Sequence, residues 1–327
     1  MCRWQKCSVA TCDRPALEHG LCTGHWSRVR HGGPLRPEIP IQEKTENENE
    51  MTVQTQQLEN GEKLEGVLAS ITKGKVKRPV YILIYGVDGV GKSTFAAAAP
   101  NPVFVGTEAG SYQLEVARFP KAQTFAEFCA QLDGLATLKH SFRSVIIDTV
   151  DWLEPLVWQQ VCSEGGVDSI ENYLGGFGKG YLRAAELWRS HILSRFEILA
   201  ERYHVILIGH AMVKTFNDPN QSSGYDRYQL KLNDKAAALL RESVDAVLFA
   251  TYRIDMVRAK AKKENRAISD GSRMMFTENR PGFDAKNRFE LPFEMPLKWE
   301  PFGKSVLAFY ESKKPELPEQ SQPNPTT

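Results

Sequence analysis

Short apolar runs, separated by longer mixed stretches, dominate the middle of the chain. The run Tyr81–Tyr85 has five apolar or aromatic residues in succession, a pattern typical of a strand that is buried on both faces. Runs of the same kind predict further strands at Pro102–Val105, Arg143–Asp148, His204–Gly209, Val244–Thr251 and Arg273–Glu278.

Helical patterns lie between these strands. The clearest covers Leu182–Tyr203, where one apolar stripe contains Ala185, Trp188, Ile192, Phe196, Leu199 and Tyr203. We expect this stripe to face the protein core rather than a ligand. Strands that alternate with helices predict an α/β fold, in which a mostly parallel central sheet is connected by right-handed crossovers.

A glycine-rich turn follows the first strand directly and precedes an alanine-rich helical stretch. Its sequence, GVDGVGKST, matches the phosphate-binding P-loop pattern G-x-x-x-x-G-K-[ST] in the expected strand-loop-helix context. The glycines let backbone N–H groups approach phosphate oxygens, and the start of a helix favours an anion. Lys92 is expected to reach the β- and γ-phosphates, and Ser93 to hold Mg²⁺. The alternative is a chance glycine-rich turn. The predicted ligands are ATP and Mg²⁺, and the predicted nucleotide-binding residues are Gly86, Val87, Asp88, Gly89, Val90, Gly91, Lys92, Ser93 and Thr94.

Three polar residues fall at the ends of predicted strands, where ligands of open α/β sheets bind. Asp148 closes the run VIID, the Walker B position, and is a predicted Mg²⁺ ligand. Glu108 follows the second strand and is a candidate to activate the attacking water. His210 ends the fourth strand and is a candidate to sense the γ-phosphate. The alternatives are an ordinary loop aspartate, a surface glutamate and a structural histidine.

Two long segments, Ser163–Tyr181 and Lys214–Lys231, are predicted to be loops at this same edge of the sheet. Both mix glycine, aromatic and basic residues, which suits segments that bind a single strand by stacking and phosphate contact. They could instead be lids or subunit contacts. The candidate DNA-binding residues are Lys179, Tyr181, Lys214, Phe216 and Arg227, with Tyr173, Phe177, Tyr225 and Tyr228 beside them.

The overall composition is that of an ordinary globular protein. The chain has 41 basic and 40 acidic residues, so its net charge of +1 gives no global indication of nucleic-acid binding. No apolar run approaches the ~20 residues that span a bilayer, and the start MCRWQKC lacks the apolar core of a signal peptide. We therefore expect a cytoplasmic protein with no membrane partner.

Four of the six cysteines lie within the first 22 residues. Cys7, Cys12, Cys22 and His25 have the spacing C-x4-C-x9-C-x2-H, enough ligands for one tetrahedral Zn²⁺. Cys2, His19 and His31 are alternative ligands, and a basic tail with incidental cysteines is the competing interpretation. Residues 1–37 contain six basic and two acidic residues, which fits either a nucleic-acid contact or a protein-docking module.

The predicted organisation has four parts. Residues 1–37 form the zinc module, and 38–62 a flexible acidic linker that is too polar to bury a core. Residues 63–312 form the α/β domain. The proline- and glutamine-rich residues 313–327 are a predicted disordered tail.

The order of the P-loop, Glu108, Asp148 and His210 resembles the RecA-type ATPase core. More narrowly, YGVDGVGKSTFAA, VIIDTVDWLEPL, GFGKGY, GHAMVKTFNDP and DAKNRFELP resemble phage-encoded RecA-core ATPases of single-strand annealing recombination, over about residues 64–300. The stretch CDRPALEHGLCTGHWSRVRHGGP resembles small zinc modules that are found beside phage nucleases and other phage DNA-processing proteins.

This resemblance implies ATP hydrolysis, a homo-oligomer (ring or filament) on single-stranded DNA, and a role in phage recombination or replication. A single-strand-binding protein is a further candidate partner. Lys286 and Arg288 match positions at which RecA-like proteins place basic residues that reach a neighbour's nucleotide. A surface salt bridge is the alternative for both residues.

The leading functional hypothesis is therefore a DNA-stimulated ATPase of recombination or repair that acts inside a bacterial host cell. A P-loop phosphotransferase with a small-molecule substrate is a second hypothesis. A third is a DNA-binding adaptor in which ATP serves as a switch.

Overall fold

The computed structural model describes residues 69–106, 108, 110–217, 223–253 and 270–312, and the backbone of 255–258 and 265–268. The chain divides into two compact units, Met1–Gly74 and Lys75–Thr327, and every element named below belongs to the second. The predicted zinc module, the acidic linker and the tail at 313–327 lie outside the described residues, as does the predicted start of the α/β domain at residue 63.

The centre of the fold is a mixed sheet built around the strand that precedes the P-loop. Strand β1 (Tyr81–Gly86) pairs in parallel with both β5 (His204–Phe216) and β7 (Ala246–Tyr252). The parallel order continues from β5 through β4 (Ser144–Asp148) and β2 (Pro102–Gly106) to β3 (Ala117–Arg118). The predicted α/β fold with a mostly parallel sheet is confirmed.

Antiparallel strands extend the sheet beyond β7 and at the end of β5. Strand β10 (Arg273–Phe276) pairs with β7 and with β12 (Glu294–Pro296). The short β11 (Lys286–Asn287) also pairs with β7, and β6 (Tyr225–Leu230) pairs with the second half of β5. A separate two-stranded sheet contains β8 (Asp255–Arg258) and β9 (Asn265–Ile268).

Helices cover both faces of the sheet. They are α1 (Lys92–Ala97), α2 (Phe125–Thr137), α3 (Val150–Gly165), α4 (Lys179–Leu187), α5 (Ser194–Ala200), α6 (Asp234–Ser243) and α7 (Trp299–Glu311). A 3₁₀ segment (Ile170–Gly175) precedes α4, and a π-helical segment (Trp188–Leu193) joins α4 to α5.

The alternation of side chains along β1 divides its residues between two cores. Tyr81, Leu83 and Tyr85 belong to the larger core, which also contains the apolar face of α4 and α5. Ile82 and Ile84 belong to the other core, with side chains from α1 and α7. Because both faces are covered, all six residues of β1 are buried, as its unbroken apolar sequence predicts.

The predicted helical stretch at Leu182–Tyr203 is correct in its burial, but its bounds and its regularity differ. Trp188, Ile192, Phe196 and Leu199 are buried, which confirms the apolar stripe as core. The helix begins earlier, at Lys179, passes through the π-helical segment and ends at Ala200. Apolar spacing does not distinguish a π-helical turn from an α-helical one over so short a stretch.

Neither predicted long loop is irregular throughout. Both ends of Lys214–Lys231 belong to the hairpin of β5 and β6, with Val213 opposite Tyr228 and Phe216 opposite Tyr225. In the other segment, α3 continues to Gly165, and Lys179 already begins α4. We call the β5–β6 segment the strand hairpin below.

Candidate nucleotide-binding site

The P-loop connects β1 to α1 through two glycines in the left-handed region of backbone conformation. Gly89 has a φ of 70° and Gly91 has a φ of 102°, backbone angles that residues with a Cβ rarely adopt. The Lys92 ammonium group donates hydrogen bonds of 3.0 Å to the carbonyl oxygens of Gly86 and Val87. This lysine therefore folds back across the turn that it closes.

Gly86 is required for a different reason from the one that its motif predicts. A Cβ at this position would lie 1.9 Å from the carbonyl oxygen of Ala250 on β7. The glycine therefore lets the end of β1 pack against β7. Of the nine predicted nucleotide-binding residues, Gly89, Gly91, Lys92, Ser93 and Thr94 line the cavity beside the P-loop, whereas Val90 belongs to the core.

This cavity has a volume of about 400 Å³ and brings together four of the predicted catalytic residues from separate parts of the chain. Lys92 and Ser93 come from the P-loop, Glu108 follows β2, Asp148 ends β4, and His210 lies on β5. Parallel strands place their carboxyl ends at one edge of the sheet, which is why residues so far apart in sequence meet here.

Asp148 is the residue best suited to bind a metal ion. It is 1% exposed, and neither of its carboxylate oxygens has a hydrogen-bond partner among the described residues. Burial raises its pKa, while the neighbouring Ser93 hydroxyl, His210 and Lys92 oppose that rise. A buried carboxylate without a partner, beside a hydroxyl, fits Mg²⁺. Ser93 and Asp148 would hold that ion, which would neutralise charge on the phosphate oxygens of ATP.

Glu108 has the properties of a general base. Partial burial raises the pKa of its carboxyl group, and the positive charges of His210 and Lys92 oppose the rise. A raised pKa makes a carboxylate a stronger base. The position of Glu108 in the cavity is therefore compatible with activation of a water molecule.

Asp151 is a residue of the site that the sequence analysis missed. It lies in the first turn of α3, where its carboxylate accepts hydrogen bonds from the ring Nδ1 (2.8 Å) and the backbone N–H (3.0 Å) of His210. The bond to Asp151 raises the pKa of His210, which favours a positively charged ring. Although burial opposes it, His210 lowers the pKa of Asp151. The spacing Asp148-x-x-Asp151, which places a second carboxylate one helical turn after the strand end, could have identified this residue from the sequence.

Two further side chains contact the P-loop from the β7–β10 side. The Tyr252 hydroxyl donates to the carbonyl oxygen of Gly89 at 3.2 Å. Arg273 pairs with Tyr252 across the strands, and a Cβ on Gly91 would lie 2.8 Å from its guanidinium group. Sequence analysis identified neither residue, because both belong to strands that the chain reaches far downstream.

Glu154 is a buried acidic residue one turn beyond Asp151 on α3. Both of its carboxylate oxygens accept from the backbone N–H of Asn233, the residue that caps the start of α6. Burial raises the pKa of Glu154 to about 7. This carboxyl group therefore joins α3, which carries Asp151, to the helix that follows the strand hairpin.

Lys286 and Arg288 lie near the amino end of β7, away from the P-loop. The Lys286 ammonium group donates to the carbonyl oxygens of Arg241, Glu242 and Val244, at 2.9, 3.0 and 2.7 Å. These contacts cap the end of α6. The exposed Arg288 lies 3.6 Å from the buried Asp245, as an ion pair within the chain. A role for either residue at a neighbour's nucleotide stays a prediction.

The candidate DNA-binding residues differ widely in exposure. Lys179 is exposed and donates to the carbonyl oxygen of Leu174, and Lys214 pairs with Asp234 at 2.7 Å. Tyr181 and Phe216 are half-buried. Arg227 is 7% exposed and pairs with Asp284 at 2.8 Å, so its guanidinium group already neutralises a carboxylate of the same chain. This arrangement favours a structural role for Arg227.

The predicted zinc ligands Cys7, Cys12, Cys22 and His25 lie outside the described residues. Within the described part of the chain, no group of three or more histidine, cysteine, aspartate or glutamate residues is placed to hold a metal ion. In that same part, no helix is long and apolar enough to cross a membrane.

Comparison with known proteins agrees with this site. Residues 78–289, more than half of the chain, match the AAA domain family AAA_24. The chain therefore belongs to this family of P-loop ATPases, and its domain binds and hydrolyses ATP. The matched span includes the P-loop, Glu108, Asp148 and His210. No curated protein matches the chain.

Proposed function

We propose that this protein is a DNA-stimulated ATPase that acts on single-stranded DNA in recombination or repair, of the phage single-strand annealing type. The observation that carries the proposal is the continuity of β5. This strand holds His210 in the nucleotide cavity and continues without a break to Lys214 and Phe216 in the strand hairpin.

This continuity offers a physical route between nucleotide and strand. His210 is held by Asp151, and the second half of β5 pairs with β6 from Ala211 to Phe216. A shift of His210 on nucleotide binding would therefore move the paired strand that presents Lys214 and Phe216. In turn, a DNA strand on the hairpin would favour one position of His210, because such coupling is reciprocal.

Steady-state ATP hydrolysis, measured with and without single-stranded DNA over a series of salt concentrations, tests the proposal. We expect stimulation that fades as salt rises, since phosphate contacts release counterions. Hydrolysis that is indifferent to DNA would point instead to a phosphotransferase. Tight ATP binding without hydrolysis would favour the DNA-binding adaptor.

Two surface lysines make a matched pair of variants. Lys214 on the hairpin pairs with Asp234 at 2.7 Å, and Lys304 on α7 pairs with Glu300 at the same distance. Lys214→Ala should reduce stimulation by DNA and leave DNA-free hydrolysis unchanged. Lys304→Ala should change neither rate. Equal behaviour of the two variants would remove the hairpin from the DNA site.

The proposal also includes partners and a second metal. We infer that the protein forms a homo-oligomer on the strand, with a single-strand-binding protein as a further partner, inside a bacterial host cell. The N-terminal Cys7, Cys12, Cys22 and His25 are proposed to hold one Zn²⁺ per chain. Elemental analysis that finds no zinc in protein with reduced, reactive cysteines would contradict this part.

A further inference from the structure

A second cavity lies between β7, β10 and the strand hairpin. Its volume is about 380 Å³, and its lining is mostly aromatic. The lining residues are Val213, Asp226, Arg227, Tyr228, Phe249, Thr251, Tyr252, Phe276, Gly282 and Phe283. A cavity of this size accommodates a small planar ligand.

The aromatic rings form a continuous stack. Phe249 and Phe283 are nearly parallel, with centroids 4.7 Å apart, and Phe283 stacks in turn on Phe276 at 5.0 Å. Tyr228 lies 5.1 Å from Phe249 and is 38% exposed, which makes it the most exposed ring of this group. Flat, close-set rings of this kind favour a flat partner that can stack.

The polar groups of the lining narrow the chemistry of that partner. The charge of Arg227 is neutralised by Asp284, and Asp226 adds a negative charge, so a free phosphate is not the expected occupant. The Arg227 Nε–H has no acceptor among the described residues but is buried with almost no accessible surface, so ring stacking rather than this donor would hold a ligand.

We propose that this cavity binds one nucleobase, supplied by the single strand that the hairpin contacts. Stacking on the aromatic rings would hold it, and this contact is available to every base. The choice of a strand as the source rests on the proposed function. A free nucleotide is the other source of the same chemistry.

Tyr252 places this site in contact with the P-loop. Its ring lines the cavity, and its hydroxyl donates to Gly89 on the P-loop. A base that moves Tyr252 would therefore act on the P-loop backbone directly. This contact is separate from the route through β5 and His210.

A single-stranded oligonucleotide with one 2-aminopurine base tests the proposal, because stacking on aromatic rings quenches this fluorophore. The full-length protein is saturated with a non-hydrolysable ATP analogue, so that the P-loop site is filled. Tyr228→Leu removes the exposed ring and keeps an apolar side chain, whereas Tyr228→Phe keeps the ring. The half-exposed Trp152 on α3 provides a control, Trp152→Leu, for loss of an aromatic residue outside the cavity. Melting curves establish that each variant is folded.

We expect quenching in the wild type, Tyr228→Phe and Trp152→Leu, and affinity about 5- to 100-fold weaker in Tyr228→Leu. The same pattern with free 2-aminopurine riboside, but no binding of the oligonucleotide, would support a base site while overturning the strand as its source. Strand binding without quenching, or equal quenching in both Tyr228 variants, would overturn the cavity proposal and leave the proposed function intact. If neither the oligonucleotide nor the free riboside is quenched, the cavity proposal would also be overturned.

Discussion

Glu108 and Lys92 line the same cavity, but their tasks should be separable by mutation. Glu108→Gln keeps the size of the side chain and removes the base, so we expect ATP binding to persist and hydrolysis to fall about 10²- to 10⁴-fold. Lys92→Ala should weaken ATP binding itself. Equilibrium binding and phosphate release measure the two effects.

A matched control for this prediction is Glu115→Gln, which changes an exposed glutamate a short distance along the chain. It should hydrolyse ATP at the wild-type rate. Wild-type hydrolysis in Glu108→Gln would show that another group activates the water.

The pairing of His210 with Asp151 predicts a specific change in pH dependence. Because the hydrogen bond to Asp151 raises the pKa of His210, the ring keeps its positive charge to higher pH than a free histidine. Asp151→Asn removes the anion, so the pKa of His210 should fall and the alkaline limb of the kcat/KM profile should move to lower pH. An unmoved limb in this variant would indicate that His210 charge does not limit turnover.

Glu154 predicts a pH dependence of stability rather than activity. Its pKa is about 7 in the folded chain against 4.5 ordinarily, so the folded state holds a proton that the unfolded state releases. The stability linked to this proton is fully present below pH 4.5 and is lost as pH rises through 7.

In Glu154→Gln the side chain is neutral at every pH, and it keeps an oxygen that accepts the hydrogen bond from the Asn233 N–H. Relative to the wild type, this variant should therefore gain up to about 3 kcal/mol of unfolding free energy between acid and alkaline pH. Urea denaturation at a series of pH values measures the difference. A constant offset between the two proteins would mean that folding does not raise the pKa of Glu154.

Asp151 and Glu154 also show where sequence reasoning on the site stopped. Asp148, Glu108 and His210 were predictable because each follows a strongly apolar run, and parallel strands end at one edge. Asp151 and Glu154 lie inside a helix, where acidic residues are common on solvated faces. Their burial depends on β5 and α6, which the sequence around them does not specify.

At the level of elements, the strand hairpin was the main departure from expectation. The run His204–Gly209 is apolar enough to predict a buried strand, but the strand continues to Phe216 with side chains that alternate between partly buried and exposed. Such weak alternation, followed by polar and glycine residues, also fits a loop. Pairing with β6 decides the outcome, and that pairing is a contact between segments rather than a property of either.

The end of α6 provides a test of the role of Lys286. Because its ammonium group binds three carbonyl oxygens there, Lys286→Ala should lower the unfolding free energy by about 1–3 kcal/mol. Lys304→Ala, which breaks an exposed ion pair, should lower it much less. Chemical denaturation compares the two variants, and equal stabilities would argue against the capping role.

The role of Lys286 at a neighbour's nucleotide requires a separate experiment. Subunits with Lys286→Ala are mixed with Lys92→Ala subunits, so that some interfaces combine an intact P-loop with an intact Lys286. Recovered hydrolysis would support a shared site. No recovery at any ratio, in folded protein, would leave Lys286 as a helix cap alone.

For the whole molecule, charge and ligand binding lead to different expectations. A net charge of +1 gives no long-range attraction to DNA, so strand binding should depend on local contacts such as those of the hairpin. ATP binding, in contrast, stabilises the folded chain by mass action, because the P-loop cavity exists only when β1, β2, β4 and β5 are assembled.

We therefore expect the melting temperature to rise with ATP concentration, by the equivalent of about 1.4 kcal/mol for each tenfold increase above the Kd. Removal of Mg²⁺ by a chelator should reduce this rise, since Asp148 would then face phosphate oxygens as an uncompensated buried carboxylate. The reduction should be absent in Asp148→Asn, and Lys92→Ala should show little stabilisation at any ATP concentration. Differential scanning calorimetry measures all three proteins, and an equal rise in the wild type and Lys92→Ala would place the bound nucleotide outside the P-loop.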